Sequence, residues 1–128
     1  MRPVLLDTSV LLYWSLDPAR LSARAAAAIR QAEPVLLSSI SVWEVGIKHQ
    51  KGRLTLPLPV RQWALELTRV APVQFIPVDL EIWLANLELA WDHGDPADRT
   101  VVATALVHGC PLVTSDQRIR DFYAESIW

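Results

Sequence analysis

The stretch Asp95-Pro96-Ala97-Asp98-Arg99-Thr100-Val101-Val102-Ala103-Thr104-Ala105-Leu106-Val107-His108-Gly109-Cys110-Pro111-Leu112-Val113-Thr114-Ser115-Asp116 carries the plainest structural signal in the chain. From Ala97 to His108 it is apolar nearly all round, the pattern of a helix sandwiched in a core rather than laid on a surface. Asp95 stands as an N-cap, with Pro96 at the first helical position. Gly109 is placed as a C-terminal cap, and Pro111 just beyond it cannot continue the helix. Leu112-Val113 then reads as a short strand that stops at Thr114-Ser115-Asp116. A buried helix feeding a buried strand is the unit from which α/β domains are built.

Outward from this stretch the pattern repeats. Val4-Leu5-Leu6 ends at Asp7, Val35-Leu36-Leu37 at Ser38, and Phe75-Ile76-Pro77-Val78 at Asp79. Continuous apolar runs of this length predict strands buried on both faces, as in a parallel sheet. Between them, helical spacing aligns Leu21, Ala25, Ala28 and Ala32, then Val60, Ala64, Leu67 and Ala71, then Leu80, Leu84, Leu87 and Trp91. The expectation is an α/β domain with helices on both faces of a parallel sheet. With 128 residues, it should be one domain spanning 1–128. Gly52 and the Pro57/Pro59 pair mark a turn rather than a boundary.

The bulk composition narrows the function. The chain is 52% hydrophobic and 20% charged, which is globular rather than disordered. Cys110 stands alone, so no internal disulfide forms, which suits a reducing, cytoplasmic setting. Met1-Arg2-Pro3 does not open a signal peptide, and no run approaches the ~18 apolar residues of a membrane helix. A net charge of −2 excludes a generally basic nucleic-acid binder, so any such contact is local or bridged by metal ions.

Ligands in open α/β sheets bind beyond the carboxyl ends of the strands. Asp7 and Asp116 follow strands directly and so belong at that edge. Glu44, in Ser41-Val42-Trp43-Glu44, and the pair Asp95 and Asp98 open helices that should start nearby. Each has a plain alternative: Ser41 and Glu44 form a capping box, and Asp7, Asp95 and Asp116 cap helices. Together, with no lysine interleaved, they make a cluster that is unfavourable unless some acids are protonated or a cation is present. Oxygen donors select Mg²⁺ or Mn²⁺, and no Cys/His set has zinc spacing.

In their order, Asp7-Thr8-Ser9, Ser41-Val42-Trp43-Glu44 with Gly46-Ile47-Lys48, Gly52-Arg53-Leu54-Thr55-Leu56-Pro57, His93-Gly94-Asp95-Pro96-Ala97-Asp98-Arg99, and Leu112-Val113-Thr114-Ser115-Asp116 resemble the signature of VapC-like PIN domains. The resemblance covers nearly the whole chain. It implies a three-layer α/β/α sandwich around a parallel sheet. It also implies a metal-dependent endoribonuclease, the toxin of a type II toxin–antitoxin pair, with Asp7, Glu44, Asp98 and Asp116 as catalytic metal ligands for Mg²⁺ or Mn²⁺. Asp95 assists a second ion or simply caps its helix, and Thr114 or Ser115 adds a hydroxyl. The implied partners are an RNA substrate, a cognate antitoxin protein that presents arginine or lysine to the acids, and a second copy in a homodimer; a membrane is not among them.

Lys48, Lys51, Arg53 and Arg99 are candidate phosphate contacts, against solvated helix ends or pairing with the acids. His93 is a loop histidine or a general base. Trp43, Trp63, Trp83 and Trp91 fall in helical segments as core or interface. Trp14 is available to stack on a base, and Cys110 is an inert core thiol. Hydrolases opening on Asp-x-Asp fit poorly, since Ser9 stands where the second acid would be. A phospho-acceptor receiver would want an N-terminal acidic pair and a late lysine. The remaining alternative is a catalytically inactive PIN-like module that only binds protein, against which all four acids are intact.

Overall fold

The computed structural model describes residues 2–128. Its five strands are β1 (Val4–Leu6), β2 (Val35–Ser38), β3 (Val73–Ile76), β4 (Leu112–Val113) and β5 (Ser126–Ile127). They form one all-parallel sheet in the order β3-β2-β1-β4-β5. The helices are α1 (Thr8–Leu16), α2 (Ala23–Gln31), α3 (Ser39–Gln50), α4 (Val60–Leu67), α5 (Leu80–Glu88), α6 (Pro96–His108) and α7 (Gln117–Phe122).

Side chains alternate across a strand, and the two faces of the sheet carry separate cores. Val4, Leu6, Val35, Leu37 and Val113 pack with Val10 and Leu11 of α1, Ile29 of α2, Val45 of α3 and Trp63 of α4. Leu5, Leu36 and Leu112 pack with Ile82 of α5, Val101–Ala103 of α6 and Ile119 of α7. The result is the expected α/β/α sandwich. Residues 100–105 of α6 are buried as its apolar surround demands, and Gly109 caps it in the left-handed conformation at φ 61°.

Several expected elements shift. The third strand covers Val73–Ile76 rather than 75–78, because Pro77 has no N–H to extend a ladder. As an edge strand it leaves Gln74 exposed. The strand β5 was not expected: its two half-buried residues carry no pattern, and it forms because Leu112 and Thr114 donate to the carbonyls of Glu125 and Ile127 at 3.0 Å each. Leu21, Ala32 and Ala71 lie outside their helices. Helix α5 presents the opposite face: Ile82 and Asn86 are buried, while Leu80, Leu84 and Leu87 point outward at 71%, 45% and 77% exposure. Trp91 lies beyond α5 in a loop, stacked on Phe122 at 4.7 Å. No helix among the described residues is long and apolar enough to cross a membrane.

Candidate functional site

The strand order reverses between β1 and β4, which pair side by side with Leu6 opposite Val113. Such a switch point opens a crevice at the carboxyl ends of the strands. Asp7 leaves β1 there, and Thr114 to Asp116 leave β4.

Asp7 is the N-cap of α1, and its Oδ1 accepts the Val10 amide at 2.8 Å. Its Oδ2 accepts the hydroxyl of Thr114. The same Thr114 oxygen accepts the Asp116 amide at 3.0 Å, so one buried hydroxyl ties the two acids together. Asp116 caps α7, accepting the amides of Arg118 at 2.8 Å and Ile119 at 3.3 Å. Burial pushes the Asp7 carboxyl up to about 6, against the lowering effect of its Thr114 and Val10 hydrogen bonds, with the charges of Asp98 and Asp116 adding to the rise.

Asp98 lies in the first turn of α6. Its carboxyl is also raised, first by burial and further by Asp95 and Asp116, while the His93 hydrogen bond works the other way. The contact is His93 Nε2 to Asp98 Oδ2 at 2.7 Å. Asp95 is exposed and caps α6, with Oδ1 accepting the amides of Ala97 at 2.9 Å and Asp98 at 3.0 Å. Capping, one of the two roles expected of it, is therefore present.

The capping box at Ser41 and Glu44 is not. Helix α3 begins three residues earlier, with Ser38 as its N-cap. Ser41 is fully buried and accepts the Thr8 hydroxyl at 2.8 Å, joining α3 to the residue after Asp7. Glu44 is one turn further along the same helix face and pairs with Lys48 at 3.5 Å, so a lysine is interleaved with the acids after all. The field of Asp7, Asp98 and Asp116 is shared; Glu44 is not among the charges that act on Asp7 or Asp98. Among the described residues, no three His, Cys, Asp or Glu side chains close to within reach of one ion. Each acid instead has its own partner: Thr114, His93, the α7 amides or Lys48.

The donor set fits a hard divalent cation. It offers carboxylate oxygens alone, two of them on acids whose ionised form is disfavoured by burial and by like charge, and a nearby cation relieves both. Sequence reasoning missed Thr8, Ser41 and Asn86 as buried polar links, and took Thr114 only as a donor to metal. A Thr or Ser at an otherwise apolar, buried position was the available signal.

The candidate phosphate contacts divide. Lys51 and Arg53 are exposed beyond α3, and Lys48 holds Glu44. Arg99 does not face phosphate: its guanidinium is turned inward onto Asn86 of α5 and the carbonyls of Leu89, Trp91 and His93 that follow, leaving no donor free. Trp14 packs against the core under α1 instead of standing free, and Cys110 is buried as expected. A concavity of about 490 Å³ lined by Arg2, Val4, Ala28, Gln31, Pro111 and Ile127 opens at the other end of the strands and has none of this chemistry.

The PIN domain family model matches residues 4–125. Ribonuclease VapC22 of Mycobacterium tuberculosis is 37% identical over 120 residues, covering 94% of this chain and 92% of the relative. A toxin–antitoxin complex from Klebsiella pneumoniae superposes with a TM-score of 0.66 at 18% identity, over 98% of this chain and 96% of the other. VapBC2 of Rickettsia felis, bound to a DNA fragment from its promoter, gives 0.66 at 14% identity over 98% and 99%. At such identities the solved structures speak to the fold alone.

Proposed function

The chain belongs to the PIN-domain family, and from that premise we propose that it is an Mg²⁺- or Mn²⁺-dependent endoribonuclease, the toxin of a type II toxin–antitoxin pair. One observation carries the reading. Three carboxylates, Asp7, Asp98 and Asp116, share one electrostatic field at the switch point of a parallel sheet, and burial makes Asp7 and Asp98 resist ionisation. A cluster of that kind is costly to keep unless it works on a cation. Asp7, Asp98 and Asp116 would hold it, with Glu44 joining from α3, the cation drawing together carboxylates that stand apart without it. A divalent cation bound there would lower the pKa of water and steady charge on a phosphodiester.

The chain's own residues do the rest. Thr114 orients Asp7 and Asp116 together. The Thr8–Ser41 hydrogen bond holds α3, and with it Glu44, against the mouth of β1. Lys51 and Arg53, exposed just past the end of α3, would supply phosphate contacts. The name of the 37% identical relative supports ribonuclease chemistry, the complexes of similar fold support a protein antitoxin as partner, and the acidic field would draw a cationic side chain of it. A homodimer, joined through the outward face of α5, completes the reading. Purified protein incubated with total RNA in Mn²⁺ is expected to cleave it and to stop in EDTA. Cleavage that survives chelation overturns the metal mechanism.

A further inference from the structure

We propose that His93, fixed in place by Arg99, is a positioning residue that sets the Asp98 carboxylate for metal; the inference rests on the metal-site reading above. Arg99 has five N–H donors, and every one meets an acceptor on Asn86 of α5 or in the loop that follows α5. Nε faces Asn86 Oδ1 at 3.4 Å, Nη1 the carbonyls of Trp91 at 2.6 Å and His93 at 3.1 Å, and Nη2 those of Asn86 at 2.6 Å and Leu89 at 3.4 Å. The guanidinium thus fixes the backbone of His93 itself and of the residue two before it. The ring is then set from the side: the Trp91 indole lies edge-on to it at 4.8 Å and is itself stacked on Phe122.

So held, the imidazole sits mostly buried with its Nε2 2.7 Å from Asp98 Oδ2. To ligate a cation the Asp98 carboxylate must be ionised and has no proton to give, so in that state Nε2–H is the donor. That bond occupies one Asp98 oxygen and leaves the other for an ion. Outer hydrogen bonds of this kind set the orientation of ligating carboxylates, and losing them typically costs 10–100-fold in metal affinity. Arg99 is adjacent in sequence to Asp98 and caps nothing at the cleft, so its five inward bonds serve the loop that carries His93.

Two roles for His93 make opposite demands on a replacement. Phe keeps the aromatic ring against Trp91 and loses the donor; Gln keeps a donor and loses the ring. Mn²⁺ binding to the full-length chain would be measured by titration calorimetry, beside melting temperature in EDTA. His93→Gln is expected to bind within about threefold of the parent, while His93→Phe and His93→Ala lose about 10–100-fold and still melt near the parent temperature. Parent-like binding by His93→Phe or His93→Ala overturns the positioning role, as does a His93→Gln protein no better than His93→Ala. If His93→Ala does not fold, the Gln and Phe pair decides alone. Asp98→Asn is the separate control: if it binds Mn²⁺ like the parent, or the parent binds none, the metal-site reading itself falls and the positioning role with it.

Discussion

Asp7 concentrates the conflict on which the site depends. It is a buried acid, 5% exposed, that satisfies the Val10 amide and the Thr114 hydroxyl and still holds its proton up to about 6 instead of the usual 3.8. Between those two values the folded chain binds more protons than the unfolded one. Stability of the metal-free protein therefore falls as pH rises through that window, by on the order of 2–3 kcal/mol at 1.36 kcal/mol per unit. Asp7→Asn removes the charge and keeps an oxygen for the Val10 amide. In EDTA at pH 7 it is expected to match the parent or exceed it by about 0.5–2 kcal/mol, with the advantage gone by pH 4. Urea unfolding across that range checks it; a parallel pH dependence in parent and variant would refute the buried-charge account. Activity in Mn²⁺ should fall at least about 100-fold. The sign reverses for metal: Mn²⁺ competes with the Asp7 proton, so its affinity rises with pH up to about 6 and levels off above, readable in the same calorimeter.

At the scale of elements, the α5–α6 unit joins two helices by polar chemistry inside an apolar layer. Buried Asn86 donates to Thr100 at 2.9 Å while its backbone carbonyl and side chain receive Arg99. Arg99→Lys keeps the charge and loses the planar fork, with three donors where five are in use. It is expected to cost about 2 kcal/mol, from buried carbonyls left without partners, and to lower Mn²⁺ affinity although no acid is altered. A variant that melts like the parent would mean the carbonyls are satisfied by water. This unit also marks the limit of reading the chain from sequence. Helix α6, its Asp95 cap and its Gly109 stop were legible because capping and full burial leave local signatures. The inward face of α5 was not: Leu80, Ile82, Trp83, Leu84 and Leu87 surround the helix with apolar side chains, so periodicity cannot choose, and Asn86 chose by meeting α6. Asp7 and Asp116 were legible from strand ends. The true start of α3 was hidden, because Ser38, Ser39 and Ser41 all suit a cap and only the buried Thr8 partner of Ser41 decides among them.

The whole molecule carries a surface its fold does not explain. Leu80, Trp83, Leu84 and Leu87 recur at the spacing of one helix face and stand 71%, 43%, 45% and 77% exposed. Trp43 of α3 adds 57%, near the point where Ser39 accepts the Val78 amide just before α5. Four large apolar side chains in line on one exposed helix face form a patch of the kind that marks an interaction site, where single exposed residues would not. A second copy of the chain suits it better than a ligand: the strip is convex and helical, and a two-fold axis would set it against its own equal, leucine on leucine. The Leu80→Glu/Leu87→Glu double variant introduces like charge into the strip without touching either core, because both side chains already face water. Light scattering after size exclusion should read a dimer for the parent and a monomer for the variant at micromolar concentration, with melting changed little if the monomer holds its own core. A parent that runs as a monomer removes the second copy as occupant. A variant that stays dimeric moves the interface to another face.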